Sequence, residues 1–354
     1  MKEYNVAVIG VGAVGIEMLR CLKRRKFPVG NLSVFARSVR DIEVDGRNYS
    51  VQAISPEGFD GVDIALFAGT EGEKGAAVTY ASEAVKRGAV VIDNGADFRM
   101  DKNVPLVVPE VNAWDINPVR KWFLQGASRI SNGVKRHKGI IANPNCSTIQ
   151  MVVALWPIYK RAGIKRIIVA TFQAASGAGR GAVEQLKEET VSLLASWPVI
   201  QLNRQTVLPQ QIAFNVFPHI GAFGDDDYTS EEWKMVHETR KIMHDDKIKI
   251  SATCVRVPVR TGHSEAVYLE TRKPLAPKKA KEILIQAPGV IVLDEPQNNL
   301  YPMPIDAEGK DEVFVGRIRR DPYQKCGLWL WVVSDNLLKG AALNAVQIAE
   351  ELIK

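Results

Sequence analysis

The sequence of 354 residues has few cysteines and histidines, and it has no long hydrophobic run. Its cysteines, Cys21, Cys146, Cys254 and Cys326, are widely spaced without a CxxC pair, which argues against a disulfide scaffold and a zinc knuckle. The five histidines form no HExxH or comparable pairing, so we expect no catalytic metal. No apolar segment is long enough to cross a bilayer, and the N-terminus resembles a strand rather than a signal peptide. We therefore expect a cytoplasmic protein without a membrane partner.

The charge pattern also excludes some functions. The formal net charge is only +6, and lysine and arginine are spread along the chain. The densest basic runs, Lys23–Lys26 and Lys135–Lys138, are typical of solvated faces, so we do not expect nucleic-acid binding. A mild positive bias is compatible with small ligands that carry phosphate. The length suffices for two domains, and internal repeats are absent from the sequence.

A glycine-rich motif lies near the N-terminus. The segment Tyr4–Gly10 is typical of a buried strand, and a helical pattern follows over Ile16–Lys26. Between them the sequence GVGAVG fits the GxGxxG pattern, whose glycines allow a tight turn and close approach to a pyrophosphate at a helix N-terminus. A glycine-rich turn without a ligand is the alternative. We expect the cofactor-binding residues to be Gly10, Gly12, Ala13, Val14 and Gly15.

The next predicted strand, Leu32–Ala36, ends in Arg37 and Ser38. NAD-specific folds usually carry an acidic residue here for the ribose 2′-hydroxyl, whereas an arginine accommodates a 2′-phosphate. The pair therefore favours NADP over NAD, the alternative being an ordinary exposed loop.

The rest of the N-terminal part alternates between strands and helices. Strands are predicted over Val62–Ala68 and Ala89–Asp93, with a helix over Ala76–Lys86 between them and an Asp45-Gly46 hairpin before them. This order predicts an α/β domain with a parallel sheet covered on both faces. The loop Asn94–Arg99 then leaves the carboxyl edge of that sheet, where ligands of such folds bind.

From about residue 132 the pattern changes to an α+β arrangement with a mostly antiparallel sheet. The predicted strands are Arg166–Gln173, Ile248–Val259, Ser264–Arg272, Asp311–Ile318 and Leu328–Ser334. A short strand and turn are expected over Pro105–Asn112, and an amphipathic helix over Asn336–Ile353. Thr229 and Glu232 form a capping-box pattern before a helix that ends near Met243.

Cys146 lies where a strand gives way to a helix. The apolar run Gly139–Ala142 is followed by Asn143-Pro144-Asn145, and helical spacing begins near Ile149. A cysteine at this position lies beside unpaired helix N–H groups, which stabilise a thiolate and can donate to an oxyanion. The alternative is a buried cysteine that acts as a small hydrophobe.

Five ordered motifs carry a resemblance that covers Val6 to about Gln347: NPNCST, TFQAASGAG, EEWK, CVRVPVRTGHS and VSDNLLKGAA. Together they resemble the aspartate-β-semialdehyde dehydrogenases of the bacterial type. The resemblance implies an NADP-binding Rossmann domain (1–131 plus 336–354) and a catalytic and dimerisation domain (132–335). It also implies a homodimer or tetramer without a metal, and NADP-dependent interconversion of L-aspartate 4-semialdehyde and 4-phospho-L-aspartate with inorganic phosphate as co-substrate. That family supplies lysine, threonine and methionine biosynthesis. One departure is the first loop, usually GxxGxxG in the family and here GVGAVG.

The resemblance also implies roles for individual residues. Cys146 corresponds to the nucleophile, His263 to its acid/base partner, and Gln173 to the residue that orients the substrate. The substrate-binding set would be Arg256 for the carboxylate, Glu231 for the amino group, and Lys234, Arg99, Asn94 and Asn145 around the phosphate and reacting group. At the nicotinamide end the corresponding residues are Ser176, Gly177 and Asn336.

These residue types suit the chemistry. A thiolate adds to an aldehyde to give a thiohemiacetal, whose C–H can leave as hydride, and phosphate then attacks the resulting thioester. Histidine has the near-neutral pKa that such proton transfer needs. For most of these residues an ordinary structural role is the alternative: a core histidine, a strand-edge arginine, an acidic first helical turn. Rival functions are N-acetyl-γ-glutamyl-phosphate reductase, less closely glyceraldehyde-3-phosphate dehydrogenase, and an NADP-binding regulatory pseudoenzyme.

Overall fold

A computed structural model describes residues 2–69, 75–116, 138–195 and 206–354. Over this part of the chain the contacts define two compact units, one of Met1–Asn145 with Ala341–Lys354 and one of Cys146–Gly340. The expected domain boundary after residue 131 and most of the basic run Lys135–Lys138 lie outside the described residues. Within the described ranges no helix has the length and apolar character to cross a membrane. In the same ranges no three His, Cys, Asp or Glu side chains are grouped as metal ligands would be.

The first unit is built on a sheet whose order, for the residues described, is β3-β4-β2-β1-β5-β6-β7. The strands are β1 (Tyr4–Ile9), β2 (Val29–Ala36), β3 (Arg40–Val44), β4 (Arg47–Ala53), β5 (Ile64–Phe67), β6 (Val90–Asp93) and β7 (Ile140–Ala142). All neighbours pair in parallel except β3 and β4, which form the antiparallel hairpin predicted from Asp45-Gly46. The carboxyl ends of the central strands therefore lie at one edge of the sheet.

The helices in the N-terminal segment of this unit are α1 (Ala13–Arg24), α2 (Ala76–Lys86) and α3 (Pro109–Asn112). The buried face of α2 is made of alanines, Ala77, Ala81 and Ala84, because small side chains let the helix pack closely on the aromatic core around Phe59 and Phe67. The predicted short strand over Pro105–Asn112 was wrong in part. Only Leu106 forms an isolated bridge with Ala142, and the chain turns into α3 at Pro109, a residue favoured at a first helical position.

The second unit contains a mixed sheet whose order in the described ranges is β11-β12-β13-β10-β8-β9. Its strands are β8 (Ile164–Gln173), β9 (Lys249–Arg256), β10 (His263–Thr271), β11 (Val290–Val292), β12 (Val313–Arg320) and β13 (Gly327–Ser334). The central pairs are antiparallel, as expected, whereas β8 with β9 and β11 with β12 run parallel. The short β11 was not predicted from sequence.

The helices of this unit are α4 (Cys146–Ala162), α5 (Arg180–Ala195), α6 (Ser230–Met243), α7 (Pro277–Ile285) and α8 (Pro304–Ala307). Cys146 is the first residue of α4, three residues before the start expected from helical spacing. The capping box at the start of α6 is present: the Thr229 hydroxyl accepts from the Glu232 N–H, and the Glu232 carboxylate accepts from the Thr229 N–H.

The C-terminal segment is helical but not uniformly so. A π-helical turn, Leu338–Ala342, precedes the helix α9 (Leu343–Ile353), so the single helix predicted from Asn336 was wrong over its first turns. Helix α9 belongs to the first unit, where the Arg25 guanidinium forms an ion pair with Glu350 at 2.6 Å.

Candidate active site

Three strand ends meet at one edge of the second unit's sheet. Gln173 ends β8 and lies beside Arg256, which ends the parallel strand β9. The antiparallel strand β10 begins at His263, next to the pair of Ser264 with Phe172. Because parallel strands end together and an antiparallel neighbour starts there, residues far apart in sequence become adjacent. Gln173, Arg256 and His263 are all buried.

The loop after β8 fixes both the histidine and the arginine. The Ala174 N–H donates to His263 Nδ1 at 3.1 Å, and the Ala174 carbonyl accepts from Arg256 Nη1 at 2.6 Å. A Cβ atom on Gly177 would lie 3.1 Å from His263 Nε2 and 3.2 Å from Arg256 Nη1. Glycine at this position therefore leaves room directly over both side chains.

His263 is held in one protonation pattern. In a neutral imidazole one nitrogen accepts and the other carries the proton, and Nδ1 accepts from Ala174. The proton must therefore be on Nε2, an atom without a hydrogen-bond partner among the described residues. Complete burial, together with the nearby positive charge of Arg256, holds the pKa of His263 well below its ordinary value. The resting side chain is thus neutral, with an N–H directed away from Ala174.

Arg256 is the main positive charge at this edge. Burial lowers the pKa of its guanidinium, and negative charge on Cys146 and Glu231 acts in the opposite direction. Its Nε has no hydrogen-bond partner in the described part of the structure. A buried guanidinium whose Nε has no hydrogen-bond partner favours an anionic ligand.

Glu231 lies in the first turn of α6 and is buried. Gln173 Nε2 donates to its Oε1 at 3.1 Å, and Lys234 Nζ lies 3.6 Å from its Oε2. The neighbouring Glu232 accepts from the Cys254 N–H at 3.0 Å, which fixes the start of α6 against β9. These contacts bring Glu231 and Lys234 to the same edge as Gln173.

Cys146 lies against Gly340. A Cβ atom on Gly340 would lie 2.8 Å from the Cys146 Cβ, so any larger residue would displace the thiol. The first turn of α4 contains no acidic residue, and the partial positive charge of a helix N-terminus favours a thiolate. Asn145, the preceding residue, is buried and is the last residue of the first unit.

Ser176 and Asn336 belong to the second unit, like Cys146. The Ser176 hydroxyl and the Asn336 side chain are within hydrogen-bond distance, and Asn336 Oδ1 accepts from the Gly262 N–H at 2.9 Å. Asn336 therefore connects the loop over His263 with the residue that precedes His263.

The glycine loop of the first unit fits a dinucleotide. Helix α1 begins after Gly12, whose position provides no side-chain cap, and its first turn has no acidic residue. A Cβ atom on Gly15 would lie 1.9 Å from the Gly10 carbonyl oxygen, so only glycine fits there. Ala13 and Val14 form the first turn, whose backbone N–H groups are the donors that a pyrophosphate requires.

Arg37 and Ser38 follow β2 directly and are exposed. Sequence reasoning missed Arg40, whose Nη1 donates to the Ser38 hydroxyl at 2.9 Å. Its sequence signal was the spacing of two arginines around that serine.

Asn94 and Arg99 lie together beyond β6. Arg99 is buried, and its Nη2 donates to the Asn94 carbonyl at 3.0 Å. Two further groups of the site were not assigned from the sequence: Gly340 and the peptide group of Ala174. The sequence contained a signal for Gly340, which lies in one of the matched motifs. It contained none for the Ala174 peptide group, because every residue has one.

Comparison with known proteins shows the family of the chain. The family described as "Semialdehyde dehydrogenase, NAD binding domain" matches residues 5–118, and "Semialdehyde dehydrogenase, dimerisation domain" matches residues 155–339. Aspartate-semialdehyde dehydrogenase of Aquifex aeolicus is 53% identical over 357 residues, covering 99% of this chain and 98% of that protein. The chain belongs to the aspartate-semialdehyde dehydrogenase family. The resemblance seen in the sequence and the expected fold class are thereby confirmed.

Other members of the family are also similar along their whole length. The Bacillus subtilis aspartate-semialdehyde dehydrogenase is 48% identical over 371 residues, covering 100% of this chain and 98% of that one. The crystal structure of aspartate semialdehyde dehydrogenase II from Vibrio cholerae, complexed with ASA, matches with a TM-score of 0.88 at 43% identity, covering 100% and 99% of the two chains. The Candida albicans enzyme with NADP matches with a TM-score of 0.72 at 26% identity, covering 99% and 98%.

Proposed function

We propose that the protein interconverts L-aspartate 4-semialdehyde and 4-phospho-L-aspartate, with NADP and inorganic phosphate, through a thioester on Cys146. The observation that carries the proposal is the convergence of a neutral histidine N–H, a buried arginine and a buried carboxylate at one sheet edge of the unit that begins with Cys146. These groups match, in charge, an oxyanion, a carboxylate and an ammonium group.

Cys146 is the proposed nucleophile. In the biosynthetic direction its thiolate attacks the acyl phosphate carbonyl, the C–O bond to phosphate breaks, and a thioester remains. A nicotinamide cofactor, when bound, would supply the hydride that converts this thioester to a thiohemiacetal alkoxide. The resulting alkoxide re-forms a carbonyl as the C–S bond breaks, which releases the aldehyde and regenerates the thiolate.

His263 is the proposed hydrogen-bond donor to that alkoxide. Its neutral imidazole carries the proton on Nε2, so it stabilises the negative oxygen without first taking a proton from solvent. The proton stays on Nε2 while the carbonyl re-forms. The Ala174 N–H keeps Nδ1 as an acceptor throughout.

The two charged ends of the substrate are proposed to bind Arg256 and Glu231. A carboxylate on Arg256 neutralises a guanidinium that burial disfavours in its charged form. The substrate ammonium group would bind Glu231, which Gln173 already orients. An acetylated nitrogen has no charge to pair with this carboxylate, which argues against the N-acetyl-γ-glutamyl-phosphate reductase alternative.

The phosphate is proposed to bind through Arg99, with Asn94, Asn145 and Lys234 as further ligands. Arg99 has the planar, permanently charged group that suits phosphate oxygens. The residues proposed at the nicotinamide end are Ser176, Gly177 and Asn336, and the two units are proposed to act as cofactor-binding and catalytic domains.

The proposed cofactor preference for NADP depends on the charge near Ser38. We expect Arg37→Ala to raise the KM for NADPH about tenfold or more, because a lost charge-assisted bond to phosphate is worth about 1.5–3 kcal/mol. The KM for NADH should stay within about twofold. Steady-state kinetics with both cofactors measures this, with the exposed Arg47→Ala as the matched control. Equal losses for NADPH and NADH would contradict the assignment, and Arg40→Ala is expected to act in the same direction as Arg37→Ala.

A homodimer is the proposed assembly, because the matched dimerisation domain includes a partly exposed sheet face. On this face Phe172 packs against Trp331, and Ile168 is 38% exposed. Exposed apolar sheet surface of this kind is typical of an interface. Sedimentation velocity should give a dimer or a tetramer, and a monomer at micromolar concentration would contradict the proposal.

The experiment that tests the function compares two aldehydes. Purified protein should show multiple turnovers of L-aspartate 4-semialdehyde with NADP only when phosphate is present, and it should not turn over N-acetyl-L-glutamate 5-semialdehyde. Glu231→Gln should raise the KM for the aspartate aldehyde at least about tenfold and the KM for phosphate much less, because the substrate ammonium group loses its charged partner. The proposal would be rejected if the protein turned over the acetylated aldehyde and not the aspartate aldehyde, or if it turned over the aspartate aldehyde without phosphate.

A further inference from the structure

A row of buried amide side chains runs through the first unit from α9 to Arg99. Asn344, the second residue of α9, is fully buried. Its Nδ2 donates to the Val107 carbonyl at 2.9 Å and to Asn143 Oδ1 at 2.7 Å. Asn143, also fully buried, donates from Nδ2 to Asn94 Oδ1.

The direction of these bonds is fixed at the Asn344 end. A backbone carbonyl can only accept, so the Asn344 NH₂ group must face Val107. Its second hydrogen then requires an acceptor, which is Asn143 Oδ1. With its oxygen used in this way, Asn143 presents its own NH₂ group to Asn94. One residue of the C-terminal helix therefore sets the amide orientation of the next residues in the row.

Arg99 is held by the same two residues that Asn344 orients. Its Nε donates to the Asn143 carbonyl at 3.0 Å, and its Nη2 donates to the Asn94 carbonyl at 3.0 Å. The plane of the guanidinium depends on where these carbonyls lie. A change in the Asn143–Asn94 contact is therefore transmitted to Arg99 directly.

We propose that Asn344 is a positioning residue for phosphate binding: through Asn143 and Asn94 it sets the orientation of the Arg99 guanidinium. The inference rests on the proposed function, in which Arg99 binds phosphate. It assigns to the C-terminal helix a role in the recognition of the co-substrate.

The helix has other contacts that hold it in place without Asn344. Gln347 Nε2 donates to Glu110 Oε1 at 3.1 Å, and Arg25 pairs with Glu350. The buried apolar residues of the helix are Leu343, Ala345, Val346, Ile348 and Ala349. A variant at position 344 can therefore retain the helix while the amide row is broken.

Two substitutions separate a donor effect from a packing effect. Asn344→Leu keeps the approximate size and removes both donated bonds. Asn344→Asp places acceptor oxygens against two acceptors, so Asn143 must turn its NH₂ group toward position 344 and withdraw it from Asn94. We expect Asn344→Asp to weaken phosphate binding more than Asn344→Leu does, although aspartate is closer in shape to asparagine.

Asn112 provides the matched control. It is also fully buried in the first unit, where it donates to the Leu106 carbonyl and to Asp115 and accepts from the Val108 N–H. It holds the same stretch of chain as Asn344, but in the described part of the structure it has no hydrogen bond to Asn143, Asn94 or Arg99. Asn112→Leu should reduce stability without a selective effect on phosphate.

The experiment measures the KM for phosphate, the KM for the semialdehyde and the thermal midpoint with and without inorganic phosphate. For Asn344→Leu we expect the KM for phosphate to rise about tenfold, the semialdehyde KM to change less than about twofold, and the phosphate-induced rise in Tm to shrink. The Tm measurement needs no turnover, so it tests the inference independently of the proposed function.

Each outcome decides the question. A selective phosphate defect in both Asn344 variants, absent from Asn112→Leu, supports the inference. An unchanged phosphate KM, or equal phosphate defects in Asn344→Leu and Asn112→Leu, overturns it. If the wild-type protein shows no phosphate-dependent turnover, the proposed function is rejected. In that case the inference is still supported if phosphate raises the wild-type Tm and Asn344→Leu loses that rise. It is rejected if phosphate has no effect on the wild-type Tm.

Discussion

Cys146→Ser should lower kcat by at least about a thousandfold while the fold and cofactor binding remain intact. A serine hydroxyl is almost entirely protonated at neutral pH, and the α4 N-terminus cannot make it comparable to a thiolate as a nucleophile. Serine is also small enough for the space against Gly340, so the loss cannot be attributed to a clash. Steady-state turnover and the Tm shift caused by NADP measure the two properties on the same sample.

A transient measurement makes this test sharper. Without phosphate, wild-type protein should form about one equivalent of NADPH per site from the semialdehyde, because the thioester accumulates when its acceptor is absent. Cys146→Ser should show no such burst. Cys326, also partly exposed, is the matched control, and Cys326→Ser should retain both the burst and turnover. A full burst in Cys146→Ser would exclude the thioester.

His263 is expected to give the second-largest effect. His263→Asn should lower kcat by about 10²–10³-fold, the range typical of the loss of one oxyanion donor, with a semialdehyde KM within a few-fold of wild type. His263→Gln extends an amide toward the position of Nε2, where it can donate a hydrogen bond but cannot release a proton. It should therefore be less impaired than the asparagine variant. Equal rates for the two variants would show that hydrogen bonding to the alkoxide contributes nothing.

The pH dependence of wild-type kcat provides a check on the same residue. Burial and the Arg256 charge lower the pKa of His263 well below its ordinary value, so the imidazole stays neutral down to acidic pH. Lowering the pH through the ordinary histidine pKa, about 6.5, should therefore cause no loss of rate through this group. Only at more acidic pH does the imidazolium form, with a proton on Nδ1 that opposes the Ala174 N–H and disturbs the position of the ring. A drop centred at the ordinary value that disappears in His263→Gln would contradict this.

Local patterns were sufficient to predict many elements of the fold. The break at Asn143-Pro144-Asn145 correctly placed the change from strand to helix next to Cys146, because proline excludes the preceding residue from helical space, although helical spacing put the first helical residue three positions too late. The Asp45-Gly46 hairpin and the Thr229 capping box were also confirmed, since each depends on side chains within a few residues.

Contacts between distant segments could not be predicted in this way. The Ala174 peptide group that orients His263 and Arg256 gives no sequence signal, because any residue has an N–H and a carbonyl. The π-helical turn before α9 was missed because an extra residue per turn changes the periodicity on which the prediction depends. The amide row from Asn344 was missed for a third reason: buried asparagines have no spacing rule.

Glu265 lies two residues after His263 on β10, and it is completely buried. Neither carboxylate oxygen has a hydrogen-bond partner among the described residues, and burial raises the pKa of this carboxyl well above its ordinary value. In the unfolded chain the same group ionises at the ordinary carboxyl pKa, so at pH values between the unfolded and folded pKa the polypeptide takes up a proton as this strand assembles. Between the pKa of the unfolded chain and that of the folded protein, each increase of one pH unit lowers the free energy of unfolding by about 1.4 kcal/mol through this group. This carboxyl therefore contributes most to stability at pH values below its ordinary pKa, and its contribution falls as the pH rises.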